Sequence, residues 1–516
     1  MVAVGPAAEG GLIVKIVDAE TMARIDARST AEYGIASADL MEAAGRQGWL
    51  RMKEAVWRGS PPRGLLLFVA GRGANGGDAF VMARHARLDG ADAAILLASG
   101  TPPGGTDAAA NLASCESLGI PCTNWAEARE PAERLIASAA WLFDGIAGTG
   151  LRGPLRPPLD ALTAALNASR GHRAAIDVPS GLGDGYRDGW PVVHADCTLT
   201  MGLPKACLFL PRARRHCGSI LVVQPGFPAP LLEDPAIRCE LLDQEAFRGL
   251  LPPLPVDAHK GDRGHLAVFA GAPGTTGAAW LAAHAAARAR VGLVSLFLDG
   301  ATLPLVAASC RSVMARPWDE GDPRGFDPSR YTTLLVGPGW GLGEGRGRWL
   351  GRLFDAGLPG VLDADGITLL ARLGGSARPR LGGRWVLTPH PGEFARLTGV
   401  PRDELLDDPM PRALEAARQL DAVVVLKGHV TIVAEPSGSA RVLDGCNPAL
   451  ATAGSGDVLA GLVAAGLAGG LPPAAAAVFG VSLHARLGAV SRQRVGWFIA
   501  EDLVPLVSEI LGEACP

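Results

Sequence analysis

Short runs of continuous apolar residues alternate with longer, alanine-rich stretches along most of the chain. In the first half the runs are Leu65–Ala70, Ala93–Leu97, Trp141–Asp144 and Ala174–Asp177. In the second half they are Leu266–Gly271, Leu293–Leu298, Thr333–Gly337, Gly360–Asp363 and Ala422–Leu426. Apolar and polar residues do not alternate within them, so they predict strands buried on both faces. Such strands, separated by amphipathic helices, predict parallel α/β sheets. No repeat links the two halves. The stretch Gln224–Leu242 breaks the rhythm with four prolines and predicts a linker over 226–242. One domain over 1–225 and another over 243–516 follow, both of ordinary domain size.

Composition narrows the class. A chain of 516 residues exceeds what one core usually organises. With 48% hydrophobic residues, bulk disorder is not expected. A net charge of −4 argues against a dedicated nucleic-acid binder. The first twenty residues lack a basic segment followed by a long apolar one, so no signal peptide is expected. The uncharged stretch Val458–Leu483 is broken by Pro472-Pro473 and reads as a buried pair of Ala/Gly helices, not a membrane span. Nine scattered cysteines without a CxxC pair fit reduced thiols in a cytoplasm. The 68 glycines are in excess, and surplus glycine marks tight turns or close backbone approaches to ligands.

Several of those glycines fall where phosphates bind. Strand LLLFVA leads into Gly71-Arg72-Gly73-Ala74-Asn75-Gly76-Gly77-Asp78 and then a helical pattern. The spacing satisfies GxGxxG between strand and helix, a loop whose amides can approach a phosphate. A nicotinamide dehydrogenase is one reading, with Asp89 as the ribose-binding acid. The ANGGD continuation argues against it. Two further strands end in acids, Asp144 before Gly145–Pro154 and Asp177 before Val178-Pro179-Ser180-Gly181. Asn75, Asp144 and Ser180 offer hard oxygens for a cation.

The run Met22–Gly45, the loop GRGANGGDAF, the segments DGIAGTGLRGP and IDVPSGL, and Ala195–Ala206 resemble, in order, the NAD(P)H-hydrate epimerase domain of the YjeF family. The resemblance implies a Rossmann-like three-layer domain. It implies potassium held by Asn75, Asp144 and Ser180. It places the hydrated dinucleotide against Asn75, Gly76, Gly77 and Asp78, against Gly148, Thr149, Gly150, Leu151, Arg152, Gly153 and Pro154, and against Asp177. Asp177 is the favoured acid or base. The chain departs from the family pattern at Ala74, usually Asn, and at Ala79, usually Gly.

The second half carries Asn447–Asp457, ending in Gly454-Ser455-Gly456-Asp457 before the helix VLAGLVAAGL. A GSGD turn at a helix start offers amides to a phosphoryl group. Asp457, in the first turn, can accept a proton from a substrate hydroxyl. No GxxxxGK[ST] occurs, which disfavours a P-loop enzyme. His390, between two prolines, reads either as a helix cap or as a rigid ligand contact. Lys427, at a strand end, suits a nucleotide phosphate.

With His259–Asp262, Gly271–Ala279, Gly337–Gly343 and Thr388–Glu393, these motifs resemble the ribokinase-like NAD(P)H-hydrate dehydratase, a three-layer α/β domain often fused behind the epimerase. The resemblance implies contacts to the hydrate from Ala278, Gly339, His390 and Asp457. It implies adenine-nucleotide contacts from Lys427, Gly428, His429, Val430, Thr431 and Gly456. Trp340 stands where Leu is usual, and Arg311-Ser312 where Pro-Glu is usual. The combined expectation is a bifunctional repair enzyme. It would epimerise R- and S-NAD(P)H hydrate and dehydrate the S-epimer with ADP or ATP and Mg2+. Its expected setting is cytoplasmic and homo-oligomeric, with small-molecule partners and neither nucleic acid nor membrane. The alternatives are a binding-only N-terminal domain and a kinase for a small alcohol.

Overall fold

The computed structural model describes residues 2–3, 14–319, 321, 326–374 and 379–514. Residues 4–13, on which the signal-peptide reading partly rests, lie outside the described residues. The chain forms two compact units, Met1–Cys239 and Glu240–Pro516.

The first unit is built on a parallel eight-stranded sheet. Its strands are β1 (Val2–Ala3), β2 (Leu65–Ala70), β3 (Ala93–Leu97), β4 (Cys122–Asn124), β5 (Ala139–Gly145), β6 (His172–Ile176), β7 (Cys197–Met201) and β8 (Ser219–Val223). They lie in the order β1-β8-β7-β6-β5-β2-β3-β4. Leu66, Phe68 and Ala70 enter one core cluster, while Leu67 and Val69 enter another. Both faces are therefore covered, which is why β2 reads as one apolar run. Helices α1 (Ala19–Tyr33), α2 (Ser37–Arg51) and α3 (Ala74–Leu88) flank the ligand side. The chain moves outward one way through β3 and β4, and the other way from β5 to β8. Loops after β2 and β5 thus meet at a topological switch point, where open sheets hold ligands. The run Ala174–Asp177 was expected to be all strand, but β6 stops at Ile176. Asp177 turns to φ 68, a left-handed backbone that cannot continue a strand.

The second unit repeats the principle. Its strands from His265 onward are β9 (His265–Phe269), β10 (Leu293–Leu298), β11 (Met314–Pro317), β12 (Thr333–Val336), β13 (Gly360–Leu362), β14 (Trp385–Leu387), β15 (Val423–Leu426), β16 (Val430–Ala434) and β17 (Ala440–Asp444). Their order is β11-β10-β9-β12-β13-β14-β15-β16-β17. Pairing is parallel as far as β15, then antiparallel through β16 and β17. Leu266 and Val268 face one cluster, Ala267 and Phe269 the other. The switch point falls between β9 and β12.

Helices α4 (Thr276–Arg288), α5 (Ala364–Arg372), α6 (Pro391–Thr398), α7 (Ser455–Ala468) and α8 (Pro473–Val495) complete the frame of the second site. The α4, α7 and α8 contact is close because small residues line it. A Cβ on Gly461 would lie 2.3 Å from the Ala282 carbonyl oxygen, and one on Gly480 2.4 Å from Val463 Cγ2. This accounts for the uncharged Ala/Gly stretch. The break at Pro472-Pro473 does divide the stretch into two helices, α7 and α8, and α8 continues past it to Val495. Its 23 residues are long and apolar enough to cross a membrane by composition, and most of that window is buried within the fold. Among the described residues, Cys115, Cys122, Cys197, Cys207 and Cys310 are free thiols.

Candidate functional sites

The first site grows from the loop after β2. A Cβ on Gly71 would lie 1.9 Å from the Ile146 carbonyl oxygen, and one on Gly76 2.0 Å from that of Gly71. Only glycine lets this loop lie flat across the end of β5. Gly73 caps α3 without a side-chain acceptor, so the first amides of the helix can face an anion.

Beneath the loop opens a cavity of about 610 Å³. Asn75, Asp78, Gly148, Thr149, Gly150, Leu151 and Asp177 line it. Gly76 and Gly77 are buried under the loop, with Gly77 held against Met41. Arg152, Gly153 and Pro154 do not belong to the cavity wall. Sequence reasoning missed Lys205, whose side chain is only 1% exposed and forms an ion pair with Asp177. Lys205 Nζ also donates to the Met201 carbonyl oxygen at 2.6 Å, and the Met201 amide donates to Asp177 Oδ1 at 3.2 Å. This grip explains the strained backbone of Asp177. Burial, and then the charge of Asp177, push the Asp78 carboxyl well above the usual range. Burial also raises Asp26, on the same wall. A carboxyl that favours its proton thus shares a cavity with an ion-paired carboxylate.

The proposed cation ligands sit beside this cavity. Asp144 Oδ1 accepts from Ser180 Oγ at 2.6 Å and from the Ile146 amide at 3.3 Å, while its Oδ2 accepts from the Ser180 amide at 2.8 Å. Burial pushes its carboxyl up to about 6 despite these bonds. Asn75 is buried, and neither its amide oxygen nor its amide nitrogen has a partner. Asp89 does not reach the site. It lies beyond the far end of α3, taking hydrogen bonds from Lys53 at 2.6 Å and from Trp49 at 2.8 Å. A ribose-binding role for it is overturned, because α3 carries it away from the sheet edge.

The second site collects the ends of β9 and β12 to β15. Asp363 follows β13, His390 follows β14, Lys427 follows β15, and Asp457 lies in the first turn of α7. Lys427 Nζ donates to Asp363 Oδ1 at 2.7 Å and lies 3.9 Å from Glu393 Oε2. Burial works against the lysine's charge, but Asp363 and Glu393 outweigh it and raise its pKa. Burial, followed by the Asp363 charge, pushes Asp457 up to about 7. Gly456 sits so close that its Cβ would lie 3.4 Å from Lys427 Nζ. The Ser455 and Asp457 amides are satisfied within the turn by the Thr452 and Gly454 carbonyls. The turn therefore offers fewer free donors than the GSGD pattern implied.

His390 does cap a helix. Its Nδ1 accepts from the Gly392 amide at 3.0 Å, and Glu393 Oε2 accepts from the His390 amide at 2.8 Å. This capping box fixes the ring and leaves Nε2 3.3 Å from Glu393 Oε1. Gly339 and Ala278 meet at Thr275, whose Oγ1 donates to the Gly339 carbonyl at 2.7 Å. At φ 55, a Cβ on Gly339 would stand 2.8 Å from Thr275 Cβ and 3.0 Å from Ala278 Cβ. Gly339→Ala should therefore displace the α4 start and lower turnover at this site by about tenfold or more, by analogy with small misplacements of bound groups. Wild-type turnover would refute that reading. Of the remaining nucleotide residues, Thr431 Oγ1 donates to the Gly428 carbonyl at 2.9 Å, and the His429 carbonyl accepts from the Gly445 amide at 2.9 Å. Val430 opens β16.

Residues 37–207 match the family described as YjeF-related protein N-terminus, and residues 266–509 match NAD(P)H-hydrate dehydratase. The chain is 31% identical to a bifunctional NAD(P)H-hydrate repair enzyme of Coxiella burnetii, over 93% of this chain and 96% of that one. It is 34% identical to the Salinibacter ruber protein of the same name, over 96% of each. A solved Bacillus subtilis ADP/ATP-dependent NAD(P)H-hydrate dehydratase, co-crystallised with ATP and Mg2+, is 29% identical with a TM-score of 0.48. It aligns with 53% of this chain and 99% of its own.

Proposed function

The chain belongs to the family of bifunctional NAD(P)H-hydrate repair enzymes, and from that premise we propose which residues carry each half of the activity. The enzyme epimerises R- and S-NAD(P)H hydrate and dehydrates the S-epimer to NAD(P)H with ADP or ATP. The observation that carries our assignment is Asp457, a carboxyl pushed up to about 7 beside Lys427 at a helix start.

In the second unit, Asp457 takes the proton of the substrate hydroxyl as its oxygen bonds to the terminal phosphorus of the nucleotide. The bond to the leaving nucleotide breaks. Lys427 and the Gly456 amide balance charge on the moving group. Phosphate then leaves from the carbon beside the ring nitrogen, and loss of a proton from the adjacent carbon restores the ring double bond. Asp363 and Glu393 provide hard oxygens suited to magnesium, which neutralises nucleotide phosphate charge when bound. Incubating purified S-hydrate with ADP tests this reading. Return of near-ultraviolet nicotinamide absorbance with released phosphate supports it. A stable phosphorylated product would instead assign this unit to a small-alcohol kinase.

In the first unit, Asp78 gives a proton to the hydroxyl as its bond to carbon breaks, and the ring nitrogen lone pair forms a C=N bond. Water re-adds to the other face and passes its proton to Asp177. Lys205 holds Asp177 in place. The partnerless amide of Asn75, with Asp144, Ser180 and the Ala147 carbonyl, fits a potassium ion. When bound, such an ion would supply fixed positive charge beside the first cavity. If these residues hold it, potassium chloride should raise the melting midpoint of the full chain by about 2–5 °C over choline chloride. Equal midpoints would remove potassium from the account. Cytoplasmic location and homo-oligomeric assembly follow as proposals from the family resemblance.

A further inference from the structure

A second, shallow cavity of about 480 Å³, lined mostly by exposed residues, lies on the surface of the first unit at the carboxyl ends of β3 and β4. Arg72, Ser99, Thr101, Asn124 and Glu127 are on its wall. Nothing in the epimerisation chemistry uses it. The Ala98 amide donates to the Ala70 carbonyl at 2.9 Å, which lays the residues after β3 alongside the glycine loop. Within that loop, Gly73 borders the first cavity and Arg72 the second. The two cavities therefore share the loop as a common wall.

The chemistry of this second cavity is cationic at one end and hydroxylic at its side. Arg72 Nε donates to the Thr101 carbonyl at 3.0 Å, which aims the guanidinium. Its terminal nitrogens make no ion pair among the described residues, and Arg72, Ser99 and Thr101 are exposed, so their polar groups are open to a ligand from solvent. Glu127 is the sole carboxylate on the wall, and its Oε1 accepts from Asn124 Nδ2 at 2.9 Å.

The uncapped start of α3 borders the first cavity, which Asp177 also lines, and offers amides to a pyrophosphate. Arg72, in the same loop, lines the neighbouring cavity at the ends of β3 and β4. In glycine-loop folds, a carboxylate after the next strand takes a free ribose 2′-hydroxyl, whereas an arginine nearby accommodates a 2′-phosphate. Here Ser99 follows β3, and Arg72 stands in the loop. We propose that this cavity seats the adenosine ribose and its 2′-phosphate, with Arg72 as the principal contact, so that the epimerase site prefers NADPH hydrate to NADH hydrate. The proposal rests on the epimerase reading for its substrate, but its binding test does not.

Calorimetric titration of the full chain with 2′,5′-ADP and with 5′-AMP, in wild type and Arg72→Ala, separates the two claims. Loss of a charge-assisted phosphate contact should weaken 2′,5′-ADP binding by roughly 10- to 100-fold, and 5′-AMP by no more than about twofold. R-to-S equilibration of NADPH hydrate should show a matching rise in KM, with kcat little changed. Equal 2′,5′-ADP affinity in the two proteins, together with an unchanged KM for NADPH hydrate, overturns the subsite. A binding difference without equilibration of either hydrate keeps the subsite and overturns the epimerase reading. A loss shared equally by NADPH and NADH hydrates makes Arg72 a general contact and overturns the preference.

Discussion

Asp457→Asn is expected to lower nucleotide-dependent recovery of NAD(P)H from the S-hydrate by about 10²- to 10⁴-fold, the usual loss of a general base. The substitution keeps shape and removes the only proposed proton acceptor for the substrate hydroxyl. In wild type, burial and Asp363 push this carboxyl up to about 7, so kcat/KM should climb with pH through a limb near 7. A flat profile across that range would count against Asp457. Stability supplies an independent check. Between its ordinary value of 3.8 and about 7, the folded chain keeps a proton that the unfolded chain has lost. Stability therefore falls as pH rises through that window. The asparagine variant loses this slope, so its melting midpoint above pH 7 should equal or exceed that of wild type. A variant that is inactive because it is unfolded would melt lower instead.

Asp177→Asn is expected to slow R-to-S equilibration by a similar factor of about 10²- to 10⁴-fold. It also strands Lys205, buried to 1% exposure, without its carboxylate. Breaking one side of a buried ion pair typically costs about 3–5 kcal/mol, here felt in the first unit. The double variant Asp177→Asn, Lys205→Met separates the two effects. It should recover much of the stability and none of the equilibration. Recovery of equilibration with stability would make Asp177 a structural residue only.

What the chain shows before folding, and what it hides, follows from sequence distance. The glycine loops and the GSGD turn are local patterns, so Gly71, Gly76 and Gly339 announce close approaches that the backbone does make. Strand cores were legible because both faces are buried. Strand ends were less so: the chain leaves β6 before Asp177, for a reason that lies 28 residues on, in Lys205. Lys205 carried a weak signal, a lone cation just after the apolar strand CTLTM, but its partner is visible only in three dimensions. The same holds for Asp363 and Glu393, which meet Lys427 from two other strand ends and set the charge around Asp457. Asp89 misled for the opposite reason. Its spacing suits a ribose contact, yet α3 extends to Leu88 and carries it to the far end of the helix. Sequence could offer both readings of His390, and the fold shows the capping bond directly.

The central claim is that two separate sites act in sequence on one substrate. A mixture of R- and S-NAD(P)H hydrate with ADP or ATP tests it directly, with the spontaneous epimerisation rate subtracted. Wild type should convert the whole mixture to NAD(P)H, Asp177→Asn should convert only the S portion, and Asp457→Asn should convert neither. Full conversion by Asp177→Asn at the wild-type rate, or any rapid conversion by Asp457→Asn, would contradict the account.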